Sequence, residues 1–235
     1  MSVPALPPAG VRTTGAAREE ATRLVLVRHG EATCNVTGVV GGIRGCTGLS
    51  PSGVRQAEAL LARLLETAEL AGADALYASV LPRALQTAAI VAPGIGREGS
   101  LAVVADCDLC ELHPGEGDGL RWPEFVERFG QPDWDADPTT ALAPGGESWS
   151  GFVARAARAL DTLAARHAGE TVVAVCHAGV IEASLIAFVP VEGARRLKLR
   201  TEHTAITEWE CSDEGWRLLR YNDAAHLAGP ADRSG

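Results

Sequence analysis

Five side chains capable of acid–base or anion-binding chemistry stand just beyond short apolar runs in this chain. Residues 24–27, Leu-Val-Leu-Val, give way at once to Arg28, His29, Gly30 and Glu31. An apolar run without polar alternation is the pattern of a strand covered on both faces, as in a parallel sheet. Burying Arg28 and His29 as ions would cost several kcal/mol each, so both belong where the strand ends. In an open α/β sheet that place is the crevice at the carboxyl ends of the strands. A guanidinium beside an imidazole suits an anion such as a phosphoryl group. An ordinary strand can also end in two polar residues, and these types alone do not decide. The same arrangement recurs, however, with Arg83, Glu111 and His177 each following another strand-like run closely. Gathered at one edge of a sheet, the five side chains would form a site with two guanidinium groups, two imidazoles and one carboxylate. The order of strands in the sheet is not written in the sequence, so their convergence is an expectation.

The elements that must position these groups alternate. After residue 31 a glycine-rich loop spans 32–49, where close backbone approach to a ligand and an ordinary connection are both compatible with composition. Ser50 and Pro51 open a helix as N-cap and first-turn residue. Its apolar stripe is Val54, Ala57, Leu60, Leu61, Leu64, Leu65 and Ala68, and Gly72 ends it. A strand over 75–78 precedes a helix that begins at Pro82 and places Arg83 and Thr87 on one face near its amino end. A strand over 101–105, a loop over 114–119, a short helix over 122–129 and a loop over 133–146 follow. A helix starting at Glu147 leads to the clearest strand, 171–176, then His177-Ala178-Gly179 and a helix over 180–188. Residues 204–210 and 216–221 alternate as an antiparallel pair. The predicted fold is a single α/β domain over residues 23–227, three layers α/β/α, with a mostly parallel central sheet and an antiparallel C-terminal strand pair. Residues 1–22 and 228–235 are expected to be tails.

Composition narrows the function classes. The 235 residues are 46% hydrophobic and carry a formal net charge of −9, which speaks against a general nucleic-acid or anionic-membrane binder. A cleft can still be locally positive in an acidic protein. No run approaches the roughly 18 apolar residues of a membrane span, and the opening segment lacks the apolar core of a secretion signal. A cytoplasmic protein, monomeric or homodimeric, is expected. The six cysteines do not form the framework of a small disulfide-rich domain. Cys107 and Cys110 form a Cys-x-x-Cys pair, but no second pair at metal spacing accompanies it. Small core residues are the simpler reading.

Leu-Val-Arg-His-Gly-Glu, with Asn35 beyond it, resembles the signature of the histidine phosphatase superfamily, the phosphoglycerate-mutase-like fold. Leu49-Ser50 with Gly53, Gln56 and Ala57, then Ser79 with Arg83, Gln86, Thr87 and Ala88, then Glu111, then Val175-Cys-His177-Ala-Gly179 extend the resemblance in order along the chain. The resemblance implies that His29 is a nucleophile taking up the phosphoryl group. It implies that Arg28, Arg83 and His177 hold the phosphoryl oxygens, and that Glu111 is general acid and then base. It also implies a substrate-binding set of Arg28, Asn35, Gly42, Arg83, His177, Ala178 and His203. Neither a metal nor an organic cofactor is implied, and the partner is a small phosphorylated metabolite.

Several positions depart from the family pattern. Ala178 replaces a common second glycine, Gly41 replaces the hydroxyl residue of mutases, and Glu111 is followed by Leu-His-Pro-Gly rather than Arg-His-Tyr-Gly. These departures favour hydrolysis over a phosphoglycerate-type mutase; a catalytically silent phosphate-binding module is the third reading. His113, Trp122 and Arg44 are second-tier candidates for substrate contact. Glu116, Asp118 and Glu124 are expected to overhang the cleft and repel additional negative charge.

Overall fold

In the computed structural model, residues 21–99, 101–189 and 199–228 are described. The first strand, β1 (Thr22–Arg28), is fully buried from Leu24 to Val27. Its side chains serve two cores. Leu24 and Leu26 face one cluster, which includes Phe152, Leu160 and Ile181. Val25 and Val27 face the other, with Leu60, Leu64, Ala84 and Ala88. An uninterrupted apolar run is therefore what this position demands, since neither face meets water.

The other strands are β2 (Ala75–Ser79), β3 (Val103–Asp106), β4 (Thr171–Cys176), β5 (Ile206–Ser212) and β6 (Gly215–Asp223). They form one six-stranded sheet in the order β3-β2-β4-β1-β5-β6. The first four strands are mutually parallel, while β5 and β6 form the expected antiparallel pair. The helices are α1 (Thr33–Thr37), α2 (Pro51–Thr67), α3 (Pro82–Val91), α4 (Trp122–Phe129), α5 (Trp149–Arg166) and α6 (Ala178–Phe188). Helices α2 and α3 cover one face of the sheet, and α5 and α6 the other, which gives the three layers. Among the described residues no helix is long and apolar enough to cross a membrane.

Some boundaries differ from expectation. The glycine-rich stretch contains α1, where the Asn35 side-chain carbonyl accepts the Ala32 backbone N–H at 3.0 Å and Gly38 closes the turn at φ 66°. Helix α2 starts as expected, with Ser50 Oγ accepting the Gly53 N–H at 3.0 Å. It stops at Thr67 rather than near Gly72, because Ala68 adopts the left-handed conformation at φ 53°. Leu65 lies off the buried stripe and is 61% exposed. Ser148, not Glu147, caps α5. Of the two expected tails, only residues 21, 22 and 228 are described, and Thr22 is already strand; the rest lie outside the described residues.

Candidate active site

The register of the central strands puts the two histidines together. Arg28 on β1 lies opposite Cys176 on β4, so His29 and His177 leave the sheet side by side, with ring centroids 5.0 Å apart. The His29 backbone N–H donates to the Cys176 carbonyl at 3.0 Å. Both imidazoles are buried. Arg83 enters from the first turn of α3, itself buried, and donates through Nε to His29 Nε2 at 3.1 Å and through Nη1 to the Gly41 carbonyl at 2.6 Å. Thr87, one turn on, accepts the Gly30 N–H at 3.0 Å and donates to the Arg83 carbonyl at 2.7 Å.

These contacts fix the state of His29. Its Nδ1 lies 2.6 Å from the Gly30 carbonyl oxygen, an acceptor that only a protonated nitrogen can satisfy. The proton therefore sits on Nδ1, and Nε2 presents a lone pair. Burial, and then the adjacent Arg83 guanidinium, hold the imidazole well below the usual histidine range, outweighing the Gly30 hydrogen bond that favours protonation. His29 is thus neutral at pH 7.

Around it lies a ring of donors. His177 caps α6, and its Nε2 shares a 2.8 Å hydrogen bond with Ser79 Oγ at the end of β2. Burial and Arg83 also push its pKa well below the ordinary value. The His203 ring lies 5.8 Å from that of His29, its pKa lowered to about 4 by burial and by Arg28. Arg28 donates through Nη1 to the Thr201 carbonyl; burial lowers its pKa, opposed by Glu111 and Glu202. Three buried nitrogens here, Arg28 Nε, His177 Nδ1 and His203 Nε2, have no hydrogen-bond partner in the protein. Buried polar groups are ordinarily paired. Nitrogens of two imidazoles and a guanidinium, left open around a neutral imidazole, suit a tetrahedral anion.

Glu111 reaches the site from the segment after β3. Its carboxylate accepts the Gly179 N–H at 3.2 Å and the Leu112 N–H at 3.3 Å. A Cβ at Gly179 would sit on Glu111 Oε1, so the glycine is what lets the acid approach the start of α6. Beyond Glu111 opens a cavity of about 270 Å³, bounded by Gly41, Leu112, Trp122, Trp134 and Leu142 among others. Trp134 was not singled out in the sequence; an aromatic residue inside the proline-rich loop 133–146 was its only signal.

The remaining candidates fall elsewhere. Asn35 is exposed, with its side-chain oxygen engaged in capping α1. The Gly42 N–H donates to Asp118 Oδ1 at 2.9 Å rather than facing the donor ring. That carboxylate also accepts the Gly45 N–H at 2.9 Å and the Arg44 N–H at 2.8 Å. Asp118 is therefore enclosed by the loop it holds, not overhanging the cleft, whereas Glu116 and Glu124 are exposed. Arg44 is a surface residue beside it. Ala178 is the half-buried first residue of α6, next to His177. Trp122 is 43% exposed and borders the cavity, so it is not a core residue. His113 turns toward Cys107, with Nε2 3.8 Å from the sulfur. Cys110 is buried but Cys107 is exposed, which corrects the reading of both as core.

A neutral imidazole, open buried nitrogens around it and a nearby carboxylate sit at the carboxyl edge of a parallel sheet, where α/β folds bind their ligands. The model of the histidine phosphatase superfamily (branch 1) matches residues 24–224, and the chain belongs to that superfamily. A metal-independent phosphoserine phosphatase of Arabidopsis thaliana is 31% identical over 215 residues, spanning 89% of this chain and 84% of its own. Phosphoserine phosphatase 1 of Hydrogenobacter thermophilus is 27% identical over 207 residues, 87% of this chain and 94% of its own. Among solved structures, a mycobacterial glucosyl-3-phosphoglycerate phosphatase complexed with VO3 superposes with a TM-score of 0.68 at 29% identity, covering 88% of this chain and all of that one. Within the superfamily the chain is a phosphomonoester hydrolase, and the mutase reading is the less supported.

Proposed function

We propose that the enzyme hydrolyses a small-molecule phosphomonoester, without a metal in the chemistry, through a phosphohistidine formed on His29 Nε2. The observation that carries this reading is the locked tautomer of His29: Nδ1 is committed to the Gly30 carbonyl and the Nε2 lone pair points toward the Arg83 guanidinium. In the first step Arg83 passes its donor from Nε2 to the phosphoryl oxygens, the freed lone pair attacks phosphorus, the N–P bond forms and the ester P–O bond breaks. Arg83, Arg28 and His177 Nδ1 bind the phosphoryl oxygens, each charge-assisted contact contributing roughly 1.5–3 kcal/mol. Placed where charge spreads in a loose transition state, such contacts act mainly on rate. Glu111 gives its proton to the departing alkoxide. It then takes a proton from water, whose oxygen attacks phosphorus as the N–P bond breaks, releasing phosphate and restoring His29.

His203 closes the ring beside Arg28. The reading includes a cytoplasmic enzyme, monomeric or homodimeric, and the six free thiols suit a reducing compartment. Asn35 and Gly42 serve here by shaping the loop that presents the Gly41 carbonyl to Arg83. The test is a rapid quench after brief exposure to a substrate labelled in its phosphate. The label should appear on His29 in an acid-labile, base-stable linkage, and His29→Ala should abolish both label and turnover while keeping the fold. Turnover in the alanine variant, or label on another residue, would overturn the assignment.

A further inference from the structure

Cys107, Cys110 and His113, at Cys-x2-Cys-x2-His spacing, belong to the short segment that carries Glu111. Their ligand atoms all lie within 4.8 Å of one another. The two sulfurs are 3.5 Å apart, and Cys107 Sγ is 3.8 Å from His113 Nε2. A tetrahedral zinc ion, with Zn–S of about 2.3 Å and Zn–N of about 2.0–2.1 Å, spaces two sulfurs about 3.8 Å apart and a sulfur and a nitrogen about 3.5–3.6 Å apart. Two of the three edges of the ligand triangle thus already have nearly the length a zinc ion would set.

The surroundings are those of a metal site too. A ligating histidine ordinarily offers its other ring nitrogen to a carboxylate, which orients the ring. Here His113 Nδ1 lies 3.5 Å from Glu147 Oε2. Glu147 is held in turn by Arg155 at 2.7 and 2.8 Å and accepts the His113 backbone N–H at 2.9 Å. Arg155 also donates to the Asp108 and Cys110 carbonyls at 2.8 and 3.0 Å, which puts a fixed positive charge beside the two sulfurs. Ser79 Oγ lies 3.3 Å from Cys110 Sγ. Cys107 is exposed and Cys110 buried, so the cluster lies at the surface, within reach of a metal ion and of water.

We propose that Cys107, Cys110 and His113 bind a borderline-soft divalent cation, zinc above all, with water as fourth ligand. Two sulfurs and an imidazole select this class over magnesium or calcium. The ion takes no part in phosphoryl transfer. It clamps the segment 107–113, within which Glu111 lies, and through Cys110 and Ser79 it adjoins the hydrogen bond that seats His177.

Cobalt titration of the reduced, chelator-treated full-length chain tests the site directly. One Co²⁺ per chain should bring the ligand-field bands of tetrahedral cobalt and a thiolate-to-cobalt charge-transfer band, and equimolar Zn²⁺ should erase both. Cys107→Ser should lose most of the charge-transfer intensity, and His113→Ala should change the ligand-field bands. Both substitutions alter side chains outside the core, so metal-free thermal midpoints should stay near wild type. Zinc should also protect Cys107 from alkylation by iodoacetamide, as peptide mapping would read. Absence of the bands in the reduced wild-type chain would overturn the proposal. So would bands that persist unchanged in both variants, since the metal would then rest on other thiols such as Cys34 and Cys46.

Discussion

At the scale of single residues the site depends on which protons are where. The Gly30 carbonyl removes any choice of tautomer from His29, and Arg83 meets the nitrogen that remains. The sequence showed both residues but not this contact, because their relation spans 54 positions and depends on where α3 is docked. Ser79 was visible only as part of a motif; its hydrogen bonds to His177 and Cys110 required the strand order. Glu111 was legible as a carboxylate after a strand, amid Asp106, Asp108 and Glu116. Its contact with Gly179 separates it from these neighbours, and the general-acid role proposed for it predicts a leaving-group effect. An alkoxide needs a proton as it departs, whereas a nitrophenolate leaves without one. Glu111→Gln should slow phosphohistidine formation by about 10²- to 10⁴-fold with an alkyl phosphate, and far less with p-nitrophenyl phosphate. A single-turnover burst with enzyme in excess isolates that step from the later attack of water. Equal losses for the two esters would assign Glu111 to binding.

At the scale of elements, β1, β4 and α3 present the site residues and α2 braces the loop after β1. The four apolar residues of β1 and the six residues of β4 were readable because burial on both faces leaves no other pattern. The five-residue α1 was not, since Ala32 at its N-cap offers no side-chain acceptor and the capping oxygen comes from Asn35 inside the helix. Backbone contact brings α2 against the loop after β1. A Cβ on Gly30 would lie 2.5 Å from the Gly53 carbonyl oxygen, and one on Gly53 would sit on the Glu31 carbonyl oxygen. The sequence could mark these glycines but not pair them.

In the proposed reaction the substrate body would enter the cavity between α4 and residues 131–142. Among its lining residues the only charged side chain is Glu111, while Trp122, Trp134, Leu112 and Leu142 present apolar surface. Preference for a neutral body therefore follows from this lining rather than from Asp118, which the glycine-rich loop encloses. Burying an aromatic ring there is worth about 1.5–3 kcal/mol, roughly ten- to hundredfold in affinity. Benzyl phosphate should exceed 3-phosphoglycerate and phosphoserine in kcat/KM, and Trp122→Ala should erase most of the difference. A wild-type preference for either carboxylate-bearing substrate would refute the assignment of this cavity to the substrate body.

For the whole molecule, the packing that makes the site also sets its tolerance of acid. His29 and His177 are buried between the layers, and burial holds both pKa values well below the ordinary 6.5. His203 and His226 are lowered to about 4, again chiefly by burial. Unfolded, all four titrate near 6.5. Below that pH the unfolded chain binds more protons than the folded one, so stability rises with pH there and its histidine contribution is complete only above about 6.5. As pH falls, His29 and His177 should each cost about 1.4 kcal/mol per pH unit. A second loss should begin below about pH 4.5. There Glu69, Glu208 and Asp223, whose pKa values are lowered by Arg63, Arg220 and Arg23, stay ionised in the folded protein while the same carboxylates take up protons in the unfolded chain, so the charge network that joins β6 to α2 and β1 loses its stabilising margin. Urea unfolding at constant ionic strength should show the midpoint declining from pH 7 to pH 5, before the carboxylates titrate. His177→Asn, which keeps a polar side chain that does not titrate, should lessen that early decline by roughly a quarter, its share among the four histidines. Activity should not share it in the same way, since a neutral His29 stays ready for attack well below pH 6.5. A midpoint constant between pH 7 and 5 would mean that these imidazoles take up protons in the folded protein, and the neutral nucleophile would be lost with that result.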